Sequence, residues 1–466
     1  MAFTRFVPAV VAVLGVGVVL GGAAALPPQQ PKPVPSEAVP TTTTALCGVT
    51  DRDSRRLQLT VGRGTEPADG TLSAGNLGGD QSWDIAPGGA VAEGVSDGPI
   101  MLRAEGVEPI PYAGALISST ADGPGRGLAA QACTAPGVEH WLPGLSATGE
   151  HLSRLVISNP DADAAEVDLQ FFGTQGPAAA SGASGISIPP HGSQTVFLEG
   201  MVDQEGLLSA RVRATAGRVQ VVADEEFRTG PDARGADWMA PASAPDTTQV
   251  IPGIQPGIGP RELVLVNPGD RTTTVSVEAL GAEGAFAPAG ADRVDLPPQS
   301  TVSLRLDEAL RGEDVSLRLT ADRNFTASVM ASSQSRDQAV DVARPVAADA
   351  LAGSGVAAVS TNGTTSVVHV ANPGQEPADV TVTARSVDGG EVSTDTVSLQ
   401  PGAARTFEVD APAAYVMINS SGAEVRAAVG LTSTANRTAG LSWLPATAVT
   451  EASGAGEVWH DPTLGR

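Results

Sequence analysis

Leu155-Val156-Ile157-Ser158-Asn159-Pro160 is stated three times in this chain. It returns as Leu263-Val264-Leu265-Val266-Asn267-Pro268 and, one residue longer, as Val367-Val368-His369-Val370-Ala371-Asn372-Pro373. Each is a short apolar, β-branched run closed by Asn-Pro, and the asparagines stand 108 and then 105 residues apart. A period near 100 residues marks tandem domains rather than a short-period solenoid. The residue before a proline is driven extended, and asparagine caps turns with its own side chain. Asn159, Asn267 and Asn372 therefore read as structural corners.

Aligning on the asparagine brings other positions into line. Pro190 and Pro298 each follow by 31 residues and Pro401 by 29. Between these landmarks lie alternating runs such as Glu166-Val167-Asp168-Leu169-Gln170-Phe171 and Asp379-Val380-Thr381-Val382-Thr383-Ala384. Another follows each proline, for example Thr301-Val302-Ser303-Leu304-Arg305-Leu306. Period-2 alternation between turn signals predicts half-buried antiparallel strands. Each copy then has a late pair of strands, such as Leu208–Val212 with Arg218–Val222, joined shortly enough to be a hairpin.

The copies close on Trp238-Met239-Ala240-Pro241, Val342-Ala343-Arg344-Pro345 and Trp443-Leu444-Pro445, and Trp141-Leu142-Pro143 repeats the signature upstream. Reading back from it, Leu57–Val61, Ile85-Ala86-Pro87, Ile100–Arg103 and Gly114–Ser118 fill a fourth, divergent copy that lacks Asn-Pro. The recurrence of Trp141, Trp238 and Trp443 points to packing. Six to seven short strands per copy predict an all-β fold of about four tandem immunoglobulin-like β-sandwiches. Short connections predict a semi-rigid array, rod- or ring-like, with neighbours able to pack on one another.

Residues 7–26 carry no charge and follow Arg5, long enough for a membrane-spanning helix. Ala23-Ala24-Ala25 equally fits a cleaved signal peptide. Both readings stand, and both export the chain. Residues 27–44 hold six prolines; at about 3.1 Å per residue such a spacer reaches roughly 50 Å. The expected plan is a signal peptide or anchor over 1–26 and a Pro/Thr-rich linker over 27–46. The divergent sandwich spans 47–145, three more span 146–250, 251–350 and 351–450, and a tail covers 451–466. Outside the cytoplasm the two cysteines, Cys47 and Cys133, most simply pair.

The formal charge is −24, and Lys32 is the only lysine. That balance argues against nucleic acid and against docking on anionic lipid through a folded surface; membrane contact is expected only through the N-terminal segment. No EF-hand loop, paired-histidine helix motif or Walker lysine is present, so no metal or cofactor is expected. Gly94-Val95-Ser96-Asp97-Gly98 matches a nucleophile elbow in letters, but Pro99 and a strand follow it where a helix is needed. His140, His151, His191, His369 and His460 are scattered. Leu444-Pro445-Ala446-Thr447-Ala448 approaches a sortase signal without its glycine or a following hydrophobic segment. Trp83 and Trp459 break the repeat pattern and are the candidate ligand platforms.

The apolar-strand–Asn-Pro runs, the proline strand starts and the Trp-Leu/Met-Pro closures together resemble a family of exported actinobacterial proteins of unknown function, over about residues 47–450. The resemblance implies an extracytoplasmic place and a link to envelope glycan assembly, and it supplies no catalytic residues. The chain is thus expected to be a non-enzymatic envelope scaffold or binding module, with envelope proteins or glycans as partners. The alternatives are a glycan-binding accessory factor for polysaccharide synthesis or export and, behind it, an atypical hydrolase.

Overall fold

The computed structural model describes residues 41–48, 57–95, 98–123, 125–203, 206–257, 259–310, 312–333, 340–361, 363–434 and 440–449. The N-terminal segment, its linker and the C-terminal tail with Trp459 and His460 lie outside them. Among the described residues no helix is long and apolar enough to cross a membrane.

The described chain is nearly all strand, arranged as four double-sheet units. In the first, β1 (Thr41–Cys47), β6 (Ile100–Gly106), β3 (Thr71–Asn76) and β4 (Ser82–Asp84) form one sheet in that order. The other runs β5 (Ala90–Val95), β2 (Leu57–Arg63), β7 (Tyr112–Thr120), β8 (Gly127–Ala132). In the second unit β12 (Gly176–Ala178), β11 (Ala165–Gly173), β15 (Leu207–Ala216) and β9 (Glu139–Thr148) face β14 (Gly192–Phe197), β10 (His151–Asn159), β16 (Gln220–Thr229) and β17 (Asp232–Met239). β13 (Ile186–Ile188) lengthens the β11 edge.

The third unit repeats the order with β21 (Gly284–Phe286), β20 (Thr273–Gly281) and β18 (Asp246–Ile254) on one side, and β22 (Arg293–Leu296) at the edge. β23 (Ser300–Arg305), β19 (Arg261–Asn267) and β25 (Val342–Ala343) lie on the other. β24 (Val315–Ser332) serves both sheets, pairing β18 and β20 first and β19 and β25 later. The one-turn helix α1 (Asp307–Leu310) precedes it. The fourth unit pairs β29 (Glu391–Leu399), β28 (Ala378–Ser386), β31 (Ala413–Gly422), β26 (Ser354–Ala358) and β34 (Thr447–Ala448). Its second sheet is β30 (Ala404–Val409), β27 (Thr365–Ala371), β32 (Arg426–Ser433), β33 (Gly440–Pro445).

Alternation builds these strands: in β11, Val167, Leu169 and Phe171 are buried while Glu166 and Gln170 are exposed. The Asn-Pro run is the second strand of its unit, and its asparagine is fully buried. Asn267 Nδ2 donates to Arg271 O (2.8 Å), Leu296 O (3.1 Å) and Pro297 O (3.0 Å), while Oδ1 accepts from Gly269 N (2.9 Å). Asn159 and Asn372 repeat this pattern on Asp163 O and Ile188 O, and on Glu376 O and Leu399 O. One amide thereby ties the turn after its strand to the strand ahead of the recurrent proline. The residue after that proline is left-handed in every unit: Gly88, His191, Gln299 and Gly402.

The divergent first unit has the same corner with different chemistry. Arg63 ends β2 where asparagine ends β10 and β19 and directly follows β27, and its buried guanidinium donates to Ile85 O (3.2 Å), Pro67 O (3.3 Å) and Gly70 O (3.3 Å). A longer donor reaches the same kind of carbonyls.

Two expectations are corrected. Immunoglobulin-like sheets put the first, second, fifth and fourth strands together; here the first pairs the late strand beside the third, and the topology is not immunoglobulin-like. The late pair is not a hairpin: β15 pairs β11 and β9, whereas β16 pairs β10 and β17 in the opposite sheet. Of the rod- and ring-like arrangements expected, the units form the ring, closed and four-bladed like a propeller. The first strand of each unit packs on the second-sheet strands of the next: β1 on β16, β9 on β19 and β24, β18 on β27 and β32, and β26 on β2 and β7. The last of these returns from the fourth unit to the first. Ala90 N donates to Val387 O (2.9 Å) there, and Tyr415 hydroxyl donates to Gly88 O (2.6 Å). The cores run across the joints: Val156, Val222 and Trp238 of the second unit pack with the core of the first.

Candidate functional site

The closing strands β8, β17, β25 and β33 meet on the ring axis, each touching two of the others. Each is the last strand of its sheet, so each brings an unpaired edge of backbone amides to the same place. Register shows what the repeats put there. Gln131, Met239 and Leu444 stand opposite Leu116, Ala223 and Val429, and Val329 N bonds Pro345 O. Those partners oppose Leu59, Leu155, Val368 and Leu263, each four residues before its corner residue. Four residues back along the closing strands are Gly127, Gly235, Gly440 and, in the third unit, Asp341. A Cβ on Gly127 or Gly235 would collide with Asp341 Oδ1. The first, second and fourth units carry glycine there, and the third unit places a carboxyl on the axis.

Asp341 Oδ2 accepts from Leu128 N (2.7 Å) and Leu441 N (3.1 Å). Its Oδ1 is buried and accepts no hydrogen bond of ordinary geometry. Two positions on, Asp237 takes the place of Ala129, Ala343 and Ser442. Its Oδ1 accepts from Ala130 N (3.2 Å) and Ser442 Oγ (2.8 Å), and its Oδ2 from Arg344 N (3.2 Å). Two side chains thus satisfy edge amides of the first, third and fourth units. Burial pushes the Asp341 carboxyl up to about 8, against the pull of the amides of Leu128 and Leu441. Burial also holds Asp237 well above the usual carboxylate range; Asp341 adds to this, while Ser442 opposes it.

A second buried charge cluster joins the second and third units. Arg344 Nε lies 2.7 Å from Glu225 Oε2, in ion-pair contact without hydrogen-bond alignment. Its Nη2 donates to Gly144 O (2.7 Å) and Pro143 O (3.2 Å). Glu225 Oε1 also meets His151 Nε2 (2.9 Å) and accepts from Ser153 Oγ (3.1 Å). Burial opposes ionisation of Glu225, but the charges of Arg344 and His151 and these hydrogen bonds outweigh it and hold its carboxyl below the ordinary value.

The sequence candidates fall in different places. Cys47 and Cys133 form a disulfide that ties β1 to the segment after β8. Trp238 and Trp443 lie buried in closing strands, and Trp443 Nε1 donates to Pro252 O of the third unit (2.8 Å). Trp141 is buried too, but in β9, the opening strand of the second unit, with its ring tilted at 31° to that of Phe172 and the centroids 5.6 Å apart. Trp83 is half-buried on the edge strand β4. His369 is no ordinary strand residue: it is buried at the joint of the third and fourth units, with Nδ1 3.0 Å from Asp314 Oδ1. Ser96 and Asp97 lie outside the described residues.

Sequence reading missed Asp237, Asp341, Glu225 and Arg344. The available signal was charge at positions in or beside the closing and late strands where the matching positions of other units are small or apolar, as at Asp237 against Ala129 and Ala343. Among the described residues no group of three or more histidine, cysteine or carboxylate side chains is placed to hold a metal. A cavity of about 200 Å³ between the third and fourth units is lined by Asp246, Gln249, Asp349 and Arg426. It contains neither a nucleophile–base pair nor any axial residue.

Solved structures resemble the chain only distantly. A Thermotoga maritima protein, titled 1070, is 13% identical, covers 22% of this chain and 91% of its own, with a TM-score of 0.19. A Ca²⁺-stabilised ice-binding adhesin of an Antarctic bacterium is 11% identical, covering 88% and 98%, at 0.12. A β-glucuronidase of Bacteroides uniformis is 10% identical, covering 48% and 25%, at 0.11. Scores this low carry no argument. No curated protein matches. A family model described as a family of unknown function, DUF5719, matches residues 90–410.

Proposed function

The chain belongs to the DUF5719 family, and from that premise we propose that it is a non-enzymatic scaffold or binding module of the cell envelope, held outside the cytoplasm. The observation that carries this reading is where the buried polar side chains go. The corner asparagines, Arg63, Asp237, Asp341, Arg344 and Glu225 all hold turns or join units. A ring so braced presents outer surfaces rather than a reactive cleft. The uncharged stretch at 7–26 and the proline-rich spacer suit a body displayed at a distance from a membrane, whether the first segment is kept or cleaved.

Crosslinking in living cells, with photoreactive residues on the exposed edges of the units, tests the reading. Capture of defined envelope proteins or glycans is expected. Turnover in a broad ester, peptide and glycoside screen, abolished by a single Asp or Ser change, contradicts it. The second reading, a glycan-binding accessory factor, draws on Trp83, half-buried on an edge strand, because a partly exposed aromatic side chain suits contact with a sugar. Loss of glycan-array binding in Trp83→Ala, with the fold intact, favours that reading; binding that survives this change and Trp459→Ala removes both platforms from it.

A further inference from the structure

Two buried carboxyls share the axis, and among the described residues no cationic side chain forms an ion pair with either. The closing strand β17 contributes Asp237, and the third-unit strand contributes Asp341 and Arg344. Arg344 turns its guanidinium away, to Glu225, Pro143 O and Gly144 O. Neither β8 nor β33 carries an ionisable residue; their polar side chains are Gln131 and Ser442. At the axis mouth Arg126 gives its Nη2 to Ala233 O and to Val340 O (3.2 Å). Two ionised carboxylates in such a place face both desolvation and mutual repulsion. The pair is stable only if it keeps a proton. Asp341 Oδ1, buried between Gly127 and Gly235 where no donor reaches it in good hydrogen-bond geometry, is the atom placed to carry it, although the nearby amides of Val342 and Ala236 also pull against protonation.

We propose that the Asp237–Asp341 pair is a proton-operated latch on the ring axis: protonated, it lets the edge amides of β8 and β33 close on the third unit, and losing the proton loosens the closing strands. Because the two carboxyls bond to the first, third and fourth units, the charge is felt at the joint that no chain connection secures, between the fourth unit and the first. The raised position of Asp341 supports the direction. A carboxyl whose folded-state value lies above its unfolded one contributes stability that is full below the unfolded value, about 4, and is lost as pH rises through the folded value, about 8.

The test uses the full chain and measures folding stability from pH 7 to pH 9. Ordinary carboxylates no longer titrate in that window, any remaining histidine titration is common to the wild type and the variant, and the buried tyrosines, raised above their usual value, have not begun to. The wild type is expected to lose up to about tenfold in folding equilibrium constant per pH unit until Asp341 has ionised. Asp341→Asn keeps the shape and the accepting oxygen of the protonated group, and it is expected to flatten the slope and to be the more stable protein at pH 9. Infrared spectra provide a readout independent of folding: the wild type at pH 7 is expected to show a carboxylic-acid carbonyl band that Asp341→Asn or Asp237→Asn diminishes. Equal slopes in wild type and Asp341→Asn, or no such band in the wild type, overturn the proposal.

Discussion

Asn267 bonds three carbonyls and one amide, joining the turn after its strand to the end of β22 and the proline that follows. Asn267→Ala leaves those groups buried and unmet, and is expected to cost about 2–4 kcal/mol, read from the urea midpoint. Asn159→Ala and Asn372→Ala belong in the same range. Arg63→Ala is expected to match them in the first unit, because the same kind of carbonyls lose their donor; a loss below about 0.5 kcal/mol contradicts the equivalence. Gln299 holds φ at +48°, a region that glycine occupies in two of the other units. Gln299→Gly is expected to raise stability by up to about 1 kcal/mol. The asparagines were legible because repetition separates a motif from chance. Arg63 was not, because asparagine and arginine share a hydrogen-bonding role here without sharing size, charge or sequence pattern.

Strands were legible where alternation was strong, and their partners were not. Leu208–Val212 and Arg218–Val222 both alternate and are joined shortly, which fits a hairpin and an arch between two sheets equally well. The long β24 makes the arch visible, since one strand pairs with both sheets in succession. Trp141-Leu142-Pro143 looked like a closure because the letters match. In β9 it is an opening strand that buries its indole against Phe172 and Val266 of the next joint. The disulfide belongs to this scale, tying the opening strand of the first unit to the end of its closing one. Cys47→Ser with Cys133→Ser is expected to cost about 4–5 kcal/mol on the chain-entropy model, measured by denaturant unfolding against the oxidised protein.

At the scale of the molecule the period of about 100 residues revealed four units but not their closure, because a repeat states what a unit is and not what its last copy touches. The axial residues escaped for a related reason: Asp237 in β17 and Asp341 just before β25 lie more than 100 residues apart in sequence, and only the ring brings them together. Arg344 and Glu225 illustrate the energetics of a joint. Arg344→Met leaves Glu225 buried without its cation and is expected to destabilise the protein by about 3–5 kcal/mol. With its carboxyl held below the ordinary value, Glu225 contributes stability present above about pH 4.5 and lost as pH falls through the folded value. Arg344→Met should therefore weaken the acid side of the pH–stability curve, whereas Asp341→Asn changes the alkaline side.

Closure of the ring is the central claim, and it rests on the seam between the fourth unit and the first. Cysteines placed at Ala90 and Val387, whose backbones are hydrogen-bonded at 2.9 Å, test it in the full chain by oxidation and peptide mapping. A closed ring predicts a 90–387 disulfide within one molecule, formed as readily as one between cysteines at Phe172 and Thr301 across the joint of the second and third units, where the two residues are bonded at 2.8 Å. Formation of the 172–301 bridge with no 90–387 bridge would contradict the ring and restore an open array.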